Sequence, residues 1–113
     1  MKIMNIENPE GSYRPELNAD EMEIAARLKE KGPEDKEAMD ALLSWLDKEQ
    51  LRAGEIGTPR ANMEVDLKLA KIKMEAGFRD DAREMLEEIW NNAGEEDEDI
   101  VNAVRDMLEE LQG

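Results

Sequence analysis

The sequence contains neither cysteine nor histidine, and its aromatic residues are only two tryptophans, one tyrosine and one phenylalanine. Without cysteine there is no disulfide, no thiolate nucleophile and no cysteine-based zinc site. Without histidine the chain lacks the commonest general base and the commonest metal ligand. Its serine and threonine hydroxyls therefore have no imidazole to activate them, and no glycine-rich phosphate loop is present. We predict that the protein is not an enzyme and that it has no catalytic residues, no cofactor and no metal site.

Long apolar runs are missing as well. Residues 1–13 lack the apolar segment of roughly 7–15 residues that marks a signal peptide. No other segment approaches the roughly 20 apolar residues that a membrane-spanning helix needs. We therefore expect a soluble, cytoplasmic protein without a membrane partner.

Acidic residues outnumber basic residues by 30 to 15, which gives a formal net charge of −15. The excess is concentrated late in the chain, because residues 79–113 hold 13 acids and 3 bases, whereas residues 62–78 hold 3 of each. Such a field repels nucleic acid and anionic lipid, since both are bound through lysine and arginine. It attracts a basic protein and accelerates the encounter. We predict that the partner is another protein with a basic surface, without direct binding to nucleic acid.

Proline and glycine divide the chain into an arm and a helical domain. Pro9, Gly11 and Pro15 lie in a polar setting, which predicts a flexible N-terminal arm over residues 1–17. A single helical domain is predicted over residues 18–113. Its five helices begin near Ala19, Glu34, Pro59, Asp80 or Asp81, and after Gly94, and the first three end near Lys31, Arg52 and Gly77.

Local signals set these helix limits. Asn18 and Glu21 have the spacing of a capping box, which starts helix 1. Pro33 suits the first position of helix 2, and the segment from Gly54 to Gly57 interrupts its pattern. The short connections predict antiparallel hairpins.

The third helix is the predicted centre of the domain. Thr58 and Pro59 give it a strong start, an N-cap hydroxyl followed by proline at the first helical position. Apolar residues on two of its faces predict packing partners on both sides, so that helix 3 lies between helix 2 and helix 4. One face carries Met63, Leu67, Ala70 and Met74, and the other carries Val65, Leu69, Ile72 and Ala76.

The two tryptophans follow the apolar spacing of helices 2 and 4. This spacing predicts that Trp45 and Trp90 pack in the core, with each indole N–H reaching the surface. Use of the same side chains as interface anchors is the alternative.

An acidic run, Glu95–Asp99, precedes the last helix. Its carboxylates suit calcium or magnesium, but the run lacks the alternating ligands, central glycine and terminal glutamate of an EF-hand loop. We predict instead that these side chains are solvated and stabilise the N-terminus of the last helix through its dipole.

The segment LAKIKMEAGFRDDAREMLEEI, residues 69–89, resembles a tetratricopeptide unit. The resemblance rests on the Leu69-Ala70 pair, Gly77 at the turn, and Ala82, Leu86 and Ile89 in the second helix. Over residues 67–111 the chain is similar to the C-terminal domain of the FimV/HubP family of bacterial polar scaffold proteins. The resemblance implies a cytoplasmic protein-docking module with a tetratricopeptide-like, helical-repeat-like fold. We accordingly predict an all-α bundle of about five helices in antiparallel hairpins.

Partner-binding residues follow from this comparison and from the charge pattern. In tetratricopeptide-like hairpins the first helix lines a concave groove, which implies that Lys71 and Met74 contact a partner's carboxylate and apolar side chain. Lys68 belongs to the same basic cluster. The alternative is that Lys68 and Lys71 form i,i+4 ion pairs with Glu64 and Glu75 on a solvated strip. Helix 4 adds acidic candidates: Asp80, Asp81, Glu84, Glu87 and Glu88.

Two functions fit these observations. The first is a non-catalytic adaptor or regulatory module for protein–protein interaction. The second is an acidic inhibitor that imitates nucleic acid, such as a phage anti-restriction or anti-CRISPR protein. A homodimer is also compatible with the first function, because eight methionines and two tryptophans exceed what five helices must bury.

Overall fold

The computed structural model describes residues 15–112. Within this range the chain forms five α-helices and one 3₁₀ turn, without a strand, so the predicted all-α fold is confirmed. The helices are α1 (Ala19–Lys31), α2 (Lys36–Ile56), α3 (Pro59–Glu75), α4 (Arg79–Asn92) and α5 (Glu98–Gln112), with the 3₁₀ turn at Glu95–Asp97.

The prediction of a flexible arm falls mostly on residues 1–14, which lie outside the described residues. Residues 15–17 have no regular secondary structure and lead into α1. Leu17 is half-buried against the core formed by α1, α2 and α3.

Helix α3 is buried on two faces, as its sequence predicts. Met63, Leu67 and Ala70 belong to one core, which α3 shares with α4 and α5. Leu69 and Ile72 belong to a second core, shared with α1 and α2. Helix α3 contacts all four other helices, and the predicted position between helix 2 and helix 4 is confirmed.

A small third cluster fixes the hairpin between α2 and α3. Ala53 of α2 packs on Ala61 and Val65 of α3. This contact explains why α2 continues through Gly54 to Ile56, four residues beyond the predicted end at Arg52. A glycine inside a helix costs about 1 kcal/mol relative to alanine, and packing of the last turn offsets that cost. The helix ends at Gly57, whose φ of 79° is left-handed.

The start of α2 also differs slightly from the prediction. Asp35 is the N-cap, and its side chain accepts a hydrogen bond from the backbone N–H of Ala38. Pro33 therefore lies in the preceding turn and not at the first helical position.

The α3–α4 turn begins helix 4 earlier than predicted. Gly77, with φ 90°, donates its N–H to Met74, and Phe78 donates to Lys73, which together form a Schellman motif. Phe78 is the N-cap of α4 and makes no side-chain capping bond, and the helix begins at Arg79, one or two residues before the predicted start at Asp80 or Asp81. The tertiary contact of the half-buried Phe78 with the α1–α3 core sets the start instead.

Candidate functional site

The outward face of α4 is acidic from Asp80 to Glu88. The helix turns Ala82, Leu86 and Ile89 into the core. Residues on the opposite side of the helix, which recur every three or four positions, therefore face the solvent. We call this set the α4 acidic face, and all five of its side chains are exposed: Asp80, Asp81, Glu84, Glu87 and Glu88.

Few cations neutralise this face. Asp80 lies 3.9 Å from the Arg83 guanidinium, and Asp81 lies 3.9 Å from the Lys73 ammonium. Both distances are at the long end for ion pairs, and such exposed pairs contribute little to stability. The other three acids of the face form no ion pair within residues 15–112. The structure thus brings the predicted acidic candidates together and leaves most of their charge available.

A groove of about 480 Å³ runs between α4 and α5, next to this face. We call it the Trp90 groove. Trp90 is 44% exposed, so the prediction that it packs in the core is wrong. Leu108 is half-buried at the opposite wall, where it packs on the edge of the core. The lining residues are Glu87, Trp90, Asn91, Arg105, Leu108, Glu109 and Gln112.

The two walls of the Trp90 groove are held in place from below. Helix α5 buries Ile100, Val104 and Met107 against α3 and α4. At the end of α5, the Arg79 guanidinium donates a hydrogen bond to the carbonyl of Leu111. A cation at a helix C-terminus is stabilised by the helix dipole, so this contact ties the end of α5 to the start of α4.

The basic candidates of α3 are engaged within the chain. The Lys68 ammonium donates to both carboxylate oxygens of Glu21, at 3.0 and 3.1 Å. Lys71 pairs with Glu75 at 3.7 Å, as the local alternative predicts. Met74 packs against the core shared by α3, α4 and α5. Lys71 and Met74 do not line the Trp90 groove.

Glu21 is a buried carboxylate at the centre of a polar network that its local sequence predicts only in part. Its predicted capping box is confirmed, with Asn18 N–H donating to Glu21 Oε1 at 2.9 Å. The Trp45 indole N–H donates to Glu21 Oε2 at 2.9 Å, so it reaches this carboxylate and not the surface. Burial would raise the pKa of Glu21, but hydrogen bonds from Asn18, Lys68 and Trp45 lower it below its ordinary value.

Arg60 organises the junction between α3 and the start of α5. It donates to Glu64 at 3.1 Å, to Asp97 at 3.3 Å and to both carboxylate oxygens of Asp99. Asp97 also accepts the N–H of Gly94 and is 6% exposed. The prediction that the acidic run is solvated is therefore wrong for these two aspartates, because a cation 37 and 39 residues earlier in the chain binds them.

A second groove, of about 330 Å³, lies between the end of α2 and the start of α3. Its lining includes Lys68, Arg52 and the exposed Ile56. Arg52 pairs with Glu49, and Lys68 is bound to Glu21. This groove is smaller than the Trp90 groove, and its cations are already paired.

Asp66 is a half-buried carboxylate on α3 without a hydrogen bond or ion pair among residues 15–112. Burial, with a smaller contribution from Glu88, raises its pKa above the ordinary 3.8. A carboxyl whose folded pKa is raised destabilises the fold when it is ionised. We therefore expect Asp66→Asn to increase the free energy of unfolding by about 0.5–1 kcal/mol near neutral pH.

This gain should shrink as the pH falls through the raised pKa of Asp66 toward 3.8, where the wild-type carboxyl is itself protonated. Urea unfolding at neutral and acidic pH measures both effects. Asp47→Asn, at an exposed position of α2, serves as the control and should change stability little at either pH. A loss of stability in Asp66→Asn would contradict the prediction.

Residues 15–112 contain no group of three or more acidic side chains placed to hold a metal ion. No helix in the same range is both long enough and apolar enough to cross a membrane. Comparison with known proteins finds no family model, no curated protein and no solved structure that matches this chain, so the resemblance of residues 67–111 to polar scaffold domains stays a prediction.

Proposed function

We propose that this protein is a non-catalytic adaptor or regulatory module of the cytoplasm that binds a basic protein through its α4–α5 hairpin. The observation that supports the proposal is the α4 acidic face lying directly beside the Trp90 groove. Tryptophan is the residue type most often found at the energetic centre of an interface. Carboxylates around it steer a cationic partner and suppress acidic competitors.

The distribution of charge favours this hairpin over α3. The basic cluster of α3 is occupied by internal acids, with Lys68 on Glu21 and Lys71 on Glu75. Residues 79–113 carry 13 acids and 3 bases, and one of those bases, Arg79, is bound to a backbone carbonyl. The hairpin is therefore the region in which unneutralised charge and exposed aromatic surface coincide.

A pull-down with two charge-neutralised variants tests the proposal. The first variant replaces Asp80 by Asn and Glu84, Glu87 and Glu88 by Gln. The control removes the same number of charges from exposed positions of α1 and α2, namely Glu30, Glu37, Asp47 and Glu55. Both variants have the same net charge, so a difference between them reports on where the charge lies.

We expect proteins retained by the wild type from a lysate of its source to be lost, by about tenfold or more, with the α4 variant and kept with the control. Mass spectrometry identifies and quantifies them. Equal retention by the two variants would refute binding through the α4–α5 hairpin.

A nucleic-acid mimic is the second candidate, and the spacing of the α4 acidic face supports it. Asp80 and Glu88 are eight residues apart, or about 12 Å along the helix axis at about 1.5 Å per residue. The five carboxylates in this span are therefore spaced at about 3 Å per charge along the axis. A single DNA strand carries one charge per about 3.4 Å. Salt separates the candidates: binding to a mimic is almost entirely electrostatic and should be lost near 0.5 M NaCl, whereas anchoring by Trp90 should survive.

A further inference from the structure

We infer that the Trp90 groove receives one cationic, amphipathic α-helix of the partner protein. The inference rests on the proposed function and specifies the form of the ligand. Three features of the groove support it: the geometry of its walls, its position at the edge of the helical stack, and the charges at its rim.

The walls of the groove match a helix in length and direction. On α5 the wall residues Arg105, Leu108, Glu109 and Gln112 follow the spacing i, i+3, i+4, i+7. They form one strip about two turns, or roughly 10 Å, long. On α4, Trp90 and Asn91 lie beside Glu87, one turn earlier, and form the facing strip. Two antiparallel strips of this kind form the walls of a channel. Such a channel accepts the side chains of a third helix at i, i+3, i+4 and i+7.

The chain itself packs helices in this way twice. Helix α1 contacts both α2 and α3, and α5 contacts both α3 and α4. The α4–α5 hairpin is the last layer of the bundle, and the residues that line the Trp90 groove all belong to these two helices. A helix laid into the Trp90 groove would therefore continue the arrangement of the fold.

The rim of the groove determines the charge of the occupant. Glu87 stands on one wall and Glu109 on the other, and the acids of the α4 acidic face lie beyond Glu87. Arg105 is the single cation of the lining. The matching helix has leucine, methionine or phenylalanine along its apolar stripe and lysine or arginine on both flanks. A second copy of this chain would instead bring acidic hairpins face to face.

Three synthetic 18-residue peptides test the inference. The first contains leucine at helical spacing with lysine and alanine elsewhere. The second is a scrambled sequence of the same composition, which has no apolar stripe. The third replaces each lysine of the first by glutamate. Calorimetry measures affinity, and the indole N–H signals in the ¹⁵N NMR spectrum report separately on Trp90 and Trp45.

We expect the striped basic peptide to shift the Trp90 indole signal and leave that of Trp45 in place. It should bind at least tenfold more tightly than the scrambled and acidic peptides. Trp90→Ala should weaken binding by tenfold or more, and Leu51→Ala, which removes an exposed apolar side chain elsewhere, should leave it unchanged. Reversing the charge of both rim acids, Glu87→Lys with Glu109→Lys, should weaken binding of the basic peptide and strengthen binding of the acidic peptide.

The inference fails if the striped and scrambled peptides bind equally, or if Trp90→Ala retains wild-type affinity. It also fails if sedimentation shows a dimer that Trp90→Ala converts to monomer, because the groove would then be filled by a second copy. If the peptides fail these tests while the α4 variant still loses its partner in the pull-down, the helical ligand is refuted but the proposed function is not. Equal retention in that pull-down would remove the proposed function itself.

Discussion

Replacing Glu21 by alanine should lower the free energy of unfolding by about 3–4 kcal/mol. Glu21 is 2% exposed and accepts hydrogen bonds from Asn18, Trp45 and Lys68. Its removal leaves the indole N–H of the half-buried Trp45 without this acceptor and opens half of the capping box. It also leaves the Lys68 ammonium unpaired, although that side chain is 24% exposed and recovers part of its hydration. The total free energy of unfolding of a small domain is about 5–15 kcal/mol, so the loss is large.

Urea unfolding of the variant and of a matched control measures the effect. Glu23→Ala removes a carboxylate from the exposed side of the same helix, where it pairs with Arg27 at 3.7 Å, and should cost less than about 1 kcal/mol. Similar losses in the two variants would show that the hydrogen bonds to Glu21 contribute little to stability.

The effect of Glu21 also depends on pH. Its pKa in the folded protein lies below the ordinary 4.5, so its contribution to stability is complete above that value. The contribution disappears as the pH falls through the lowered pKa, because the carboxylate is then protonated in the folded state too. The stability difference between wild type and Glu21→Gln should therefore be largest near neutral pH and decline as the pH falls below 4.5.

Arg60→Ala should lower the free energy of unfolding by about 2–3 kcal/mol. The substitution leaves Asp97 and Asp99 close together without their shared cation, and the Asp97 side chain is only 8% exposed. Arg60→Lys should recover part of the loss, since an ammonium retains the charge but not the forked geometry of the guanidinium.

Hydrogen exchange distinguishes a local effect from a general one. Amides around Gly94 and Asp97 should lose protection in Arg60→Ala before those of α1 and α2, because Arg60 joins α3 to the start of α5. Arg27→Ala, which breaks an exposed pair on α1, is the control. Unchanged stability of Arg60→Ala would mean that water replaces the guanidinium without cost.

Features predicted correctly from the sequence are those with local causes. The capping box at Asn18, the Thr58-Pro59 start and the two apolar faces of α3 depend on residues a few positions apart. Helix limits were wrong where a tertiary contact decided between local signals. Ala53, packed on α3, carries α2 past Gly54, and Phe78, packed on the α1–α3 core, starts α4 before Asp80.

The candidate site divides in the same way. The α4 acidic face follows from helical spacing once the buried side is known. The exposure of Trp90 does not follow from helical spacing, because it depends on how α5 lies across α4. The neighbouring Ile89 is buried and so indicates, incorrectly, that Trp90 is buried too. The partners of Lys68 and Arg60 lie 47 and 37–39 residues away, and no local pattern identifies them.

The shared helix α3 has a consequence for cooperativity. Because α3 supplies apolar side chains to both main cores, opening either core exposes one of its faces to water. The two halves of the bundle therefore cannot be separated into autonomously folding fragments without leaving such a face uncovered. We therefore expect a ligand bound to the α4–α5 hairpin to slow amide exchange in α1 and α2, on the far side of the molecule.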